Sequence, residues 1–175
     1  MKLVPGQNIT IDGDTLDIEI EARGHLLQAV ALDHSGKAPR QDLVAFYGRP
    51  AFRGVSTRAK PDQKHSVLIQ PSLLPEEVDK VVLCLSSWSG FMAAAAEDAM
   101  TLRDAQSTYR TDIPFTGQYE RSLVLGEVYR RNGGFRFRVT MQGFMAGIPA
   151  LNETYGLRLE TIAPVRLEEP RVGDA

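Results

Sequence analysis

The sequence is poor in the residues that most often carry chemistry. It has one cysteine, one tryptophan and three histidines among its 175 residues. A single cysteine, Cys84, excludes an internal disulfide, and its apolar surroundings predict a buried, unreactive thiol. The histidines, His25, His34 and His65, are widely separated and have no zinc-motif context, so we expect them at surface or turn positions.

Long apolar runs and an excess of charge of either sign are also missing. The longest apolar run, at residues 80–86, is much shorter than the roughly 18 residues that a membrane span requires. Residues 1–6 lack the apolar centre of a signal peptide. The formal net charge of −2 provides no global attraction to nucleic acid. These absences predict a protein of the reducing cytoplasm that neither inserts into membranes nor binds nucleic acid.

The sequence does contain strong strand periodicity. Residues 15–21 alternate apolar side chains with carboxylates, as a half-buried strand requires. Residues 135–141 alternate in the same way, and a turn at 132–134 joins them to residues 121–131 in a hairpin. Shorter apolar runs separated by turn residues predict further strands at 26–32, 43–47, 67–69 and 80–85. This pattern predicts an all-β fold, a two-layer antiparallel β-sandwich.

Two segments depart from the strand pattern. Residues 93–100 have strong helix propensity, although residues 101–103 fit the opening of a strand equally well. Residues 148–155 predict a short C-terminal helix that begins after Gly147 and ends at Gly156. We therefore expect one domain over residues 1–159 and a flexible tail over residues 160–175.

Catalytic motifs are absent or incomplete. Residues 86–90 read Ser-Ser-Trp-Ser-Gly, but Ser89 lacks the preceding glycine of a nucleophile elbow, and no histidine lies nearby. The sequence has neither a P-loop nor a G-x-G-x-x-G motif. The Gly-Phe-Arg-Phe-Arg-Val stretch at 134–139 superficially resembles an RNA-contacting strand, but its aromatics fit a sandwich core better. We therefore expect no enzyme and no catalytic residue, with an enzyme for phosphorylated small molecules as a weaker alternative.

An acidic segment is one candidate for ligand binding. Asp12, Asp14 and Asp17 lie with Glu19 and Glu21 in a stretch that contains no lysine or arginine. The Asp-Gly-Asp turn offers the hard oxygen ligands that calcium prefers, but the further spacing of an EF-hand is missing. A solvated acidic turn and strand face is the alternative interpretation.

A basic segment between Arg49 and His65 is the other candidate. We interpret it as a mobile loop that binds an anion or the acidic face of a partner, with a merely solvated loop as the alternative. Its candidate binding residues are Arg53, Arg58, Lys60 and Lys64.

Several motifs resemble those of one bacterial family. Residues 123–133 (Leu-Val-Leu-Gly-Glu-Val-Tyr-Arg-Arg-Asn-Gly), the Phe-Arg-Phe-Arg at 135–138 and the Gln-Gly-Phe-Met-Ala-Gly at 142–147 match its C-terminal signature in order and spacing. This signature resembles that of the TerD-domain family, which comprises tellurite-resistance and general stress-response proteins. Residues 3–8, 33–37, 46–47 and 74–81 resemble earlier family segments, so the resemblance spans about residues 3 to 157.

The resemblance implies a cytoplasmic β-sandwich that is not a conventional enzyme, in a family whose members in several cases bind calcium through acidic loops. Here the family's Asp-x-Asp pair falls on Gly24 and Leu26, and a basic run at 54–60 replaces the acidic loop. We therefore expect a divergent binding or scaffold module with no metal site and no cofactor. The expected partners are other stress-response proteins, at the inner membrane face among other places, and a homo-oligomer is left open. Calcium binding through Asp12, Asp14 and Asp17 is the alternative.

Overall fold

The computed structural model describes residues 1–21, 25–58, 64–87, 98–113, 121–145 and 147–158. In these ranges the chain forms twelve strands, one short 3-10 helix and one α-helix. The strands are β1 (Asn8–Thr10), β2 (Leu16–Glu21), β3 (His25–Leu32), β4 (Val44–Ala45), β5 (Ala51–Phe52), β6 (Val55–Arg58), β7 (His65–Ile69), β8 (Lys80–Ser87), β9 (Ala99–Arg103), β10 (Thr108–Asp112), β11 (Ser122–Arg131) and β12 (Gly134–Phe144). The 3-10 helix covers Pro71–Leu73, and α1 covers Ile148–Thr154.

The strands form two six-stranded antiparallel sheets. The β11 sheet has the order β1-β12-β11-β8-β3-β4, and the β2 sheet has the order β10-β9-β2-β7-β6-β5. The hairpin predicted between residues 121 and 142 is present as β11 and β12, with Arg131 paired to Gly134 across the turn. Asn132 and Gly133 supply the positive φ angles of this turn, 51° and 79°. The predicted all-β, two-layer antiparallel sandwich is confirmed.

The core lies between the two sheets and follows the alternation of the sequence. On β2, Leu16, Ile18 and Ile20 are fully buried, whereas the carboxylates between them face solvent or the sheet margin. Phe137 and Val139 of β12 are equally buried against them in the same cluster. Since burial of one large aliphatic or aromatic side chain stabilises a fold by about 1.5–3 kcal/mol, this inter-sheet layer dominates the stability.

A second, smaller cluster lies on the other side of the β11 sheet, under α1. Ile148 and Leu151 of the helix, together with Leu157, pack against outward-facing side chains of β3, β8 and β11. The central strands of this sheet are thus buried on both faces. Burial on both faces explains why their sequences are unbroken apolar runs, such as residues 80–85.

Connections that pass between the sheets cover two of the sheet margins. At one margin, Leu3 donates its backbone N–H to Arg110 of β10 at 2.8 Å, and Gly6 donates to Val139 of β12 at 2.8 Å. At the other, the chain passes from β4 in the β11 sheet to β5 in the β2 sheet. Short edge strands and these crossings limit the backbone available for uncontrolled strand pairing.

Two expectations are wrong, and two fall outside the described residues. The segment between Arg49 and His65 is not a loop, because β5, β6 and the start of β7 occupy most of its described residues. His65 is not at the surface but 1% exposed, since it shares the inward face of β7 with Val67 and Ile69. His34 is exposed in a turn, as expected. Residues 93–97 and the tail at 160–175 lie outside the described residues, whereas residues 101–103 belong to strand β9.

None of the helices in the described ranges has the length and apolar character of a membrane-spanning segment.

Candidate binding surfaces

The basic candidates are separated by the strand that carries them. Arg53 lies in the turn between β5 and β6, next to Gly54, whose φ of +90° this tight turn requires. Arg58 is the last residue of β6, so the length of this four-residue strand, roughly 10 Å from its first to its last Cα, separates Arg58 from the turn that carries Arg53. Lys60 lies outside the described residues. Buried Val55 and Thr57 alternate with exposed neighbours, which is the strand period that the charges of this segment obscured in the sequence.

Lys64, which immediately precedes β7, forms ion pairs with acidic side chains of β2. Its Nζ is 3.2 Å from Glu21 Oε1 and 3.9 Å from Glu19 Oε2, and Glu19 also faces Arg103 at 3.7 Å. Arg58 is exposed, and within the described ranges it has no carboxylate partner. Of the predicted cations that the structure describes, Arg53 and Arg58 are therefore the two without a carboxylate partner, and Arg58 adjoins the outer face of the β2 sheet.

A shallow depression on the outer face of the β2 sheet adjoins Arg58. Its volume is about 450 Å³, and its lining combines charge, hydroxyl groups and an apolar floor. The lining residues are Asp17, Glu19, Ser56, Thr57, Arg58, Ser66, Val67 and Leu68. Leu68 is 38% exposed, which is unusual for leucine on a sheet face. The depression has the mixed polarity of a protein-contact surface.

The acidic candidates do not converge. The Asp14 carboxylate accepts a hydrogen bond from the Ser72 hydroxyl at 2.6 Å, and Asp12 is held by its backbone, which donates to Asp104 at 3.0 Å. Within the described residues, no three histidine, cysteine or carboxylate side chains come close enough to hold one metal ion.

Asp104 organises this acidic end of the sandwich. Partial burial works against its charged form, but backbone amides of Asp12, Gln106 and Ser107 donate to it and hold its pKa below the ordinary value. The oxygens of the Asp104 carboxylate are therefore used in hydrogen bonds that stabilise this turn.

The positions where the family carries calcium ligands do not fit a calcium ion here. Leu26 is aliphatic and 3% exposed, because it packs in the cluster under α1. In the segment that replaces the acidic loop, residues 55–58 form strand β6, which ends in a cation at Arg58. A divalent cation needs several oxygen ligands, and neither segment supplies a carboxylate. Gly24 lies outside the described residues.

The serine and cysteine candidates are enclosed. The Ser86 hydroxyl is buried and lies 2.9 Å from the Ser122 hydroxyl of β11. Burial raises the pKa of the Cys84 thiol to about 12, against a weaker opposite effect of its hydrogen bond with Tyr155. The thiol is therefore protonated at neutral pH and is a poor nucleophile. Residues 88–90 of the serine-rich motif lie outside the described residues.

The turn at residues 33–37 is built by its own aspartate. Asp33 Oδ1 accepts hydrogen bonds from the Ser35 hydroxyl and from the Ser35 backbone at 2.5 and 2.9 Å. The Ser35 hydroxyl, and then the backbone amides of Lys37 and Ser35, lower the pKa of this carboxyl. Lys37 in turn donates from Nζ to the carbonyl of Thr154 at 2.7 Å, which connects the turn to the end of α1.

The Gly-Glu-Val-Tyr-Arg signature has structural roles that its sequence alone does not reveal. A Cβ on Gly126 would lie 2.5 Å from Phe137 Cζ, so the glycine admits this core ring. Glu127 is bracketed by Lys80 at 3.5 Å and Arg138 at 3.2 Å. Arg130 donates to the carbonyls of Val78 and Pro75, at 2.8 and 3.2 Å, and so anchors the segment before β8.

Sequence reasoning missed the cluster around Glu127. The alternation of residues 135–141 places the arginines on one face, but it does not reveal which strands lie beside them. The register Glu127–Arg138 and Tyr129–Lys80 is a property of the assembled sheet. The sequence signal for this cluster was the spacing of Arg136 and Arg138 on one strand of the predicted hairpin and of Glu127 and Tyr129 on the other.

Comparison with known proteins agrees with this geometry. The family model of the TerD domain matches residues 14–155, and the chain belongs to this family. The chain is 29% identical to tellurium resistance protein TerA of Alcaligenes sp. over 126 residues, covering 70% of this chain but only 37% of that protein. It is 26% identical to tellurium resistance protein TerD of Serratia marcescens over 160 residues, covering 82% of this chain and 81% of that one.

Solved structures share the fold. The crystal structure of SAV2460, a protein of unknown function, superposes with a TM-score of 0.66 at 12% identity and covers 86% of this chain and 99% of its own. A homologue of telluride resistance protein (TerD) from Streptomyces coelicolor A3(2) superposes with a TM-score of 0.57 at 11% identity, covering 79% of this chain and 94% of its own. At these identities the structures establish the fold of this chain as TerD-like.

Proposed function

We propose that this chain is a non-enzymatic, cytoplasmic protein of tellurium resistance or the general stress response, and that it acts by binding other stress-response proteins. The observation that carries the proposal is the placement of the charged side chains. In the described ranges most of them lie on the outer faces of the two sheets or in turns, and they do not converge in an enclosed cleft. The names of the TerA and TerD relatives support the biological setting.

The chemistry of the enclosed groups supports a non-catalytic role. General acid–base and nucleophilic catalysis require a reactive group within hydrogen-bond reach of a base and of a substrate. Cys84 is held neutral by burial, and Ser86 is bonded to another serine. The Cys84 side chain packs in the cluster under α1, and the Ser86 side chain lies within the β11 sheet.

We assign Arg58, with the depression beside it, as one contact surface for a partner, with Arg53 as an outlying cation. Lys64 contributes less because Glu19 and Glu21 offset its charge. Exposed cations with little local compensation attract acidic partner surfaces and speed their association.

The test is a pull-down from tellurite-stressed cells combined with tellurite survival. Charge reversal in Arg53→Glu and Arg58→Glu should leave the fold intact, since both side chains are exposed, and should weaken both partner capture and survival. Arg40→Glu is the matched control, because it removes an exposed arginine elsewhere, beside Asp42 and Glu77. Undiminished capture in the double variant would remove this surface from the account.

A separate titration examines calcium. We expect calorimetry to show no saturable high-affinity heat, and the melting temperature to be unaffected by calcium. A calcium-dependent rise in melting temperature that is lost in Asp12→Asn and Asp14→Asn would instead establish a calcium-binding protein that uses the acidic segment.

A further inference from the structure

The outer face of the β11 sheet is divided into two halves. On the part that includes β3, β4, most of β8 and the ends of β11 and β12 around Val124 and Phe144, apolar side chains pack in the cluster under α1. On the part formed by β1, the start of β8 and the hairpin end of β11 and β12, the described outward-facing side chains are polar or charged, and no described element covers them. We call this second surface the arginine face, and its members are Lys80, Tyr129, Arg131, Arg136 and Arg138.

Register places these residues around one tyrosine. Tyr129 of β11 pairs with Lys80 of β8 on one side and with Arg136 of β12 on the other. Arg138 extends over the tyrosine ring, with Cζ 4.6 Å from the ring centroid. Arg131 lies two residues after Tyr129 on β11, so it shares this face and is exposed.

Two of the arginines, Arg136 and Arg138, are held in position by contacts that are mostly with neutral groups. Arg136 donates from Nε to Asn8 Oδ1 at 2.8 Å and from Nη1 to Thr10 Oγ1 at 2.9 Å, and these partners are neutral. Among the described residues, Glu127, whose side chain is 13% exposed, is the one carboxylate with ion pairs to this face, and it is shared between Lys80 and Arg138. Within the described ranges, four cationic side chains therefore face a single carboxylate.

We propose that the arginine face docks a carboxylate-rich, extended segment of a partner protein. This deepens the proposed function, on which it rests, by naming a second contact surface and the chemistry of its partner. Oriented guanidinium groups bind carboxylates through paired hydrogen bonds at a reduced entropic cost. Arg136 and Arg138 are two residues apart on one strand, roughly 7 Å, which matches carboxylates at alternate positions of an extended chain.

The charge of the whole molecule favours a short acidic segment over a long polyanion. Nucleic acid binding gains its affinity from many phosphate contacts and needs a broadly basic surface. This chain has a formal net charge of −2, which does not provide a broadly basic surface.

The test is a fluorescence anisotropy titration of the full chain with a labelled peptide that carries glutamate at every second position, at low ionic strength. Arg131→Gln with Arg136→Gln should weaken binding about tenfold or more, and added salt should weaken the wild-type complex. Arg138 is left in place, because its loss would uncover the half-buried ion pairs of Glu127. The matched control, Arg40→Gln with Arg110→Gln, removes the same charge from exposed positions outside both proposed contact surfaces and should change the affinity less than about twofold.

Three outcomes would overturn the proposal. These are absence of binding by the wild type, equal weakening in both double variants, and tighter binding of oligothymidylate than of the acidic peptide through the same arginines. Circular dichroism and melting temperature confirm that each variant is folded. Because the titration requires neither stress nor a cellular partner, its failure removes the arginine face while the pull-down still decides the proposed function.

Discussion

At Gly126, the ring of Phe137 lies where a side chain would begin. A Cβ there would approach Phe137 Cζ to 2.5 Å and the backbone oxygen of Arg138 to 2.6 Å. The ring is fully buried and the oxygen belongs to the neighbouring strand, so neither can move cheaply. The glycine of the family signature is thus a packing requirement of the β11–β12 pair.

We expect Gly126→Ala to destabilise the fold by about 2–3 kcal/mol, as overpacking of a core does. Urea unfolding followed by circular dichroism measures the loss. Gly134→Ala is the control, because its nearest neighbour to a new Cβ is 3.8 Å away, and it should cost less than about 1 kcal/mol. Equal stability of the two variants would show that the ring and strand relax without cost.

Cys84 and Tyr155 couple the stability to pH on the alkaline side. Burial raises the pKa of Cys84 from 9.0 to about 12, and burial, followed by the proximity of Cys84, raises the pKa of Tyr155. Because both pKa values are higher in the folded protein than in the unfolded chain, these groups lose their protons at a lower pH when the chain is unfolded. The stabilisation is present below about pH 9 and is lost as the pH rises toward 12.

We therefore expect the urea midpoint of unfolding to fall between pH 8.5 and pH 11, values chosen to bracket the onset of thiol ionisation in the unfolded chain. In Cys84→Ala the fall should be shallower, because only Tyr155 and the common background of other groups then contribute. Parallel pH profiles for the wild type and this variant would contradict the assignment to the thiol.

Among the secondary-structure elements, α1 is attached to the β11 sheet by one buried polar contact within an apolar cluster. Gln28 of β3 donates from Nε2 to Asn152 Oδ1 at 3.0 Å, and Asn152 donates to the carbonyl of Ile148 at 2.7 Å. Both side chains are almost fully buried. A buried amide that loses its partner keeps its desolvation cost.

Asn152→Ala should destabilise the protein by about 1–3 kcal/mol, because it leaves the Gln28 amide buried without this partner. Glu153→Ala, on the exposed side of the same helix, should change stability by less than about 0.5 kcal/mol. Urea denaturation compares the two. If the pair Gln28→Leu with Asn152→Leu is also as unstable as Asn152→Ala, the cost arises from lost packing and not from the orphaned amide.

The elements differ in how well their sequences predict them. β2, β11, β12 and α1 were predictable because their alternation or their Pro and Gly boundaries are local properties of the chain. β6 was not, since its charged residues masked the period in which Val55 and Thr57 point inward. The prediction for His65 was wrong for a different reason: the burial of this side chain depends on the pairing of β7 with β2, where His65 lies opposite Ile20.

The candidate sites were less predictable than the strands. Arg53, Arg58 and Lys64 are close in the sequence and were therefore grouped as one site. In the structure, strand β6 separates Arg53 from Arg58, and acidic side chains of β2 form ion pairs with Lys64. The arginine face is assembled from β8, β11 and β12, so its composition depends on register. Local patterns predict which face of a strand is polar, and only the sheet order determines which polar residues meet.

At the scale of the whole molecule, the inter-sheet core and the cluster under α1 are built from the same strands. Strands β3, β8 and β11 send alternate side chains to the inter-sheet core and to the cluster under α1. Connections between the sheets also join their margins. A fold in which each central strand serves both layers is expected to unfold as one cooperative unit.

The alternative is an early, separate detachment of α1. It would expose Ile148, Leu151 and Leu157 and the sheet residues beneath them, at about 1.5–3 kcal/mol for each large side chain. That cost approaches the 5–15 kcal/mol that typically holds a whole domain together, so detachment gains little over complete unfolding. The reactivity of Cys84 reports on this step, because the thiol lies in the cluster under α1.

We expect brief labelling of Cys84 with a thiol reagent to follow the same urea transition as the β-sheet signal in circular dichroism. The two midpoints should coincide, since α1 and its cluster cover the thiol and are expected to leave the sheet only in the global transition. Gly126→Ala should shift both midpoints together, because it weakens the shared sheet, and Asn152→Ala tests the helix contact directly. Labelling at clearly lower urea than the loss of sheet signal, in the wild type or in Asn152→Ala alone, would show that α1 and its cluster open as an independent unit.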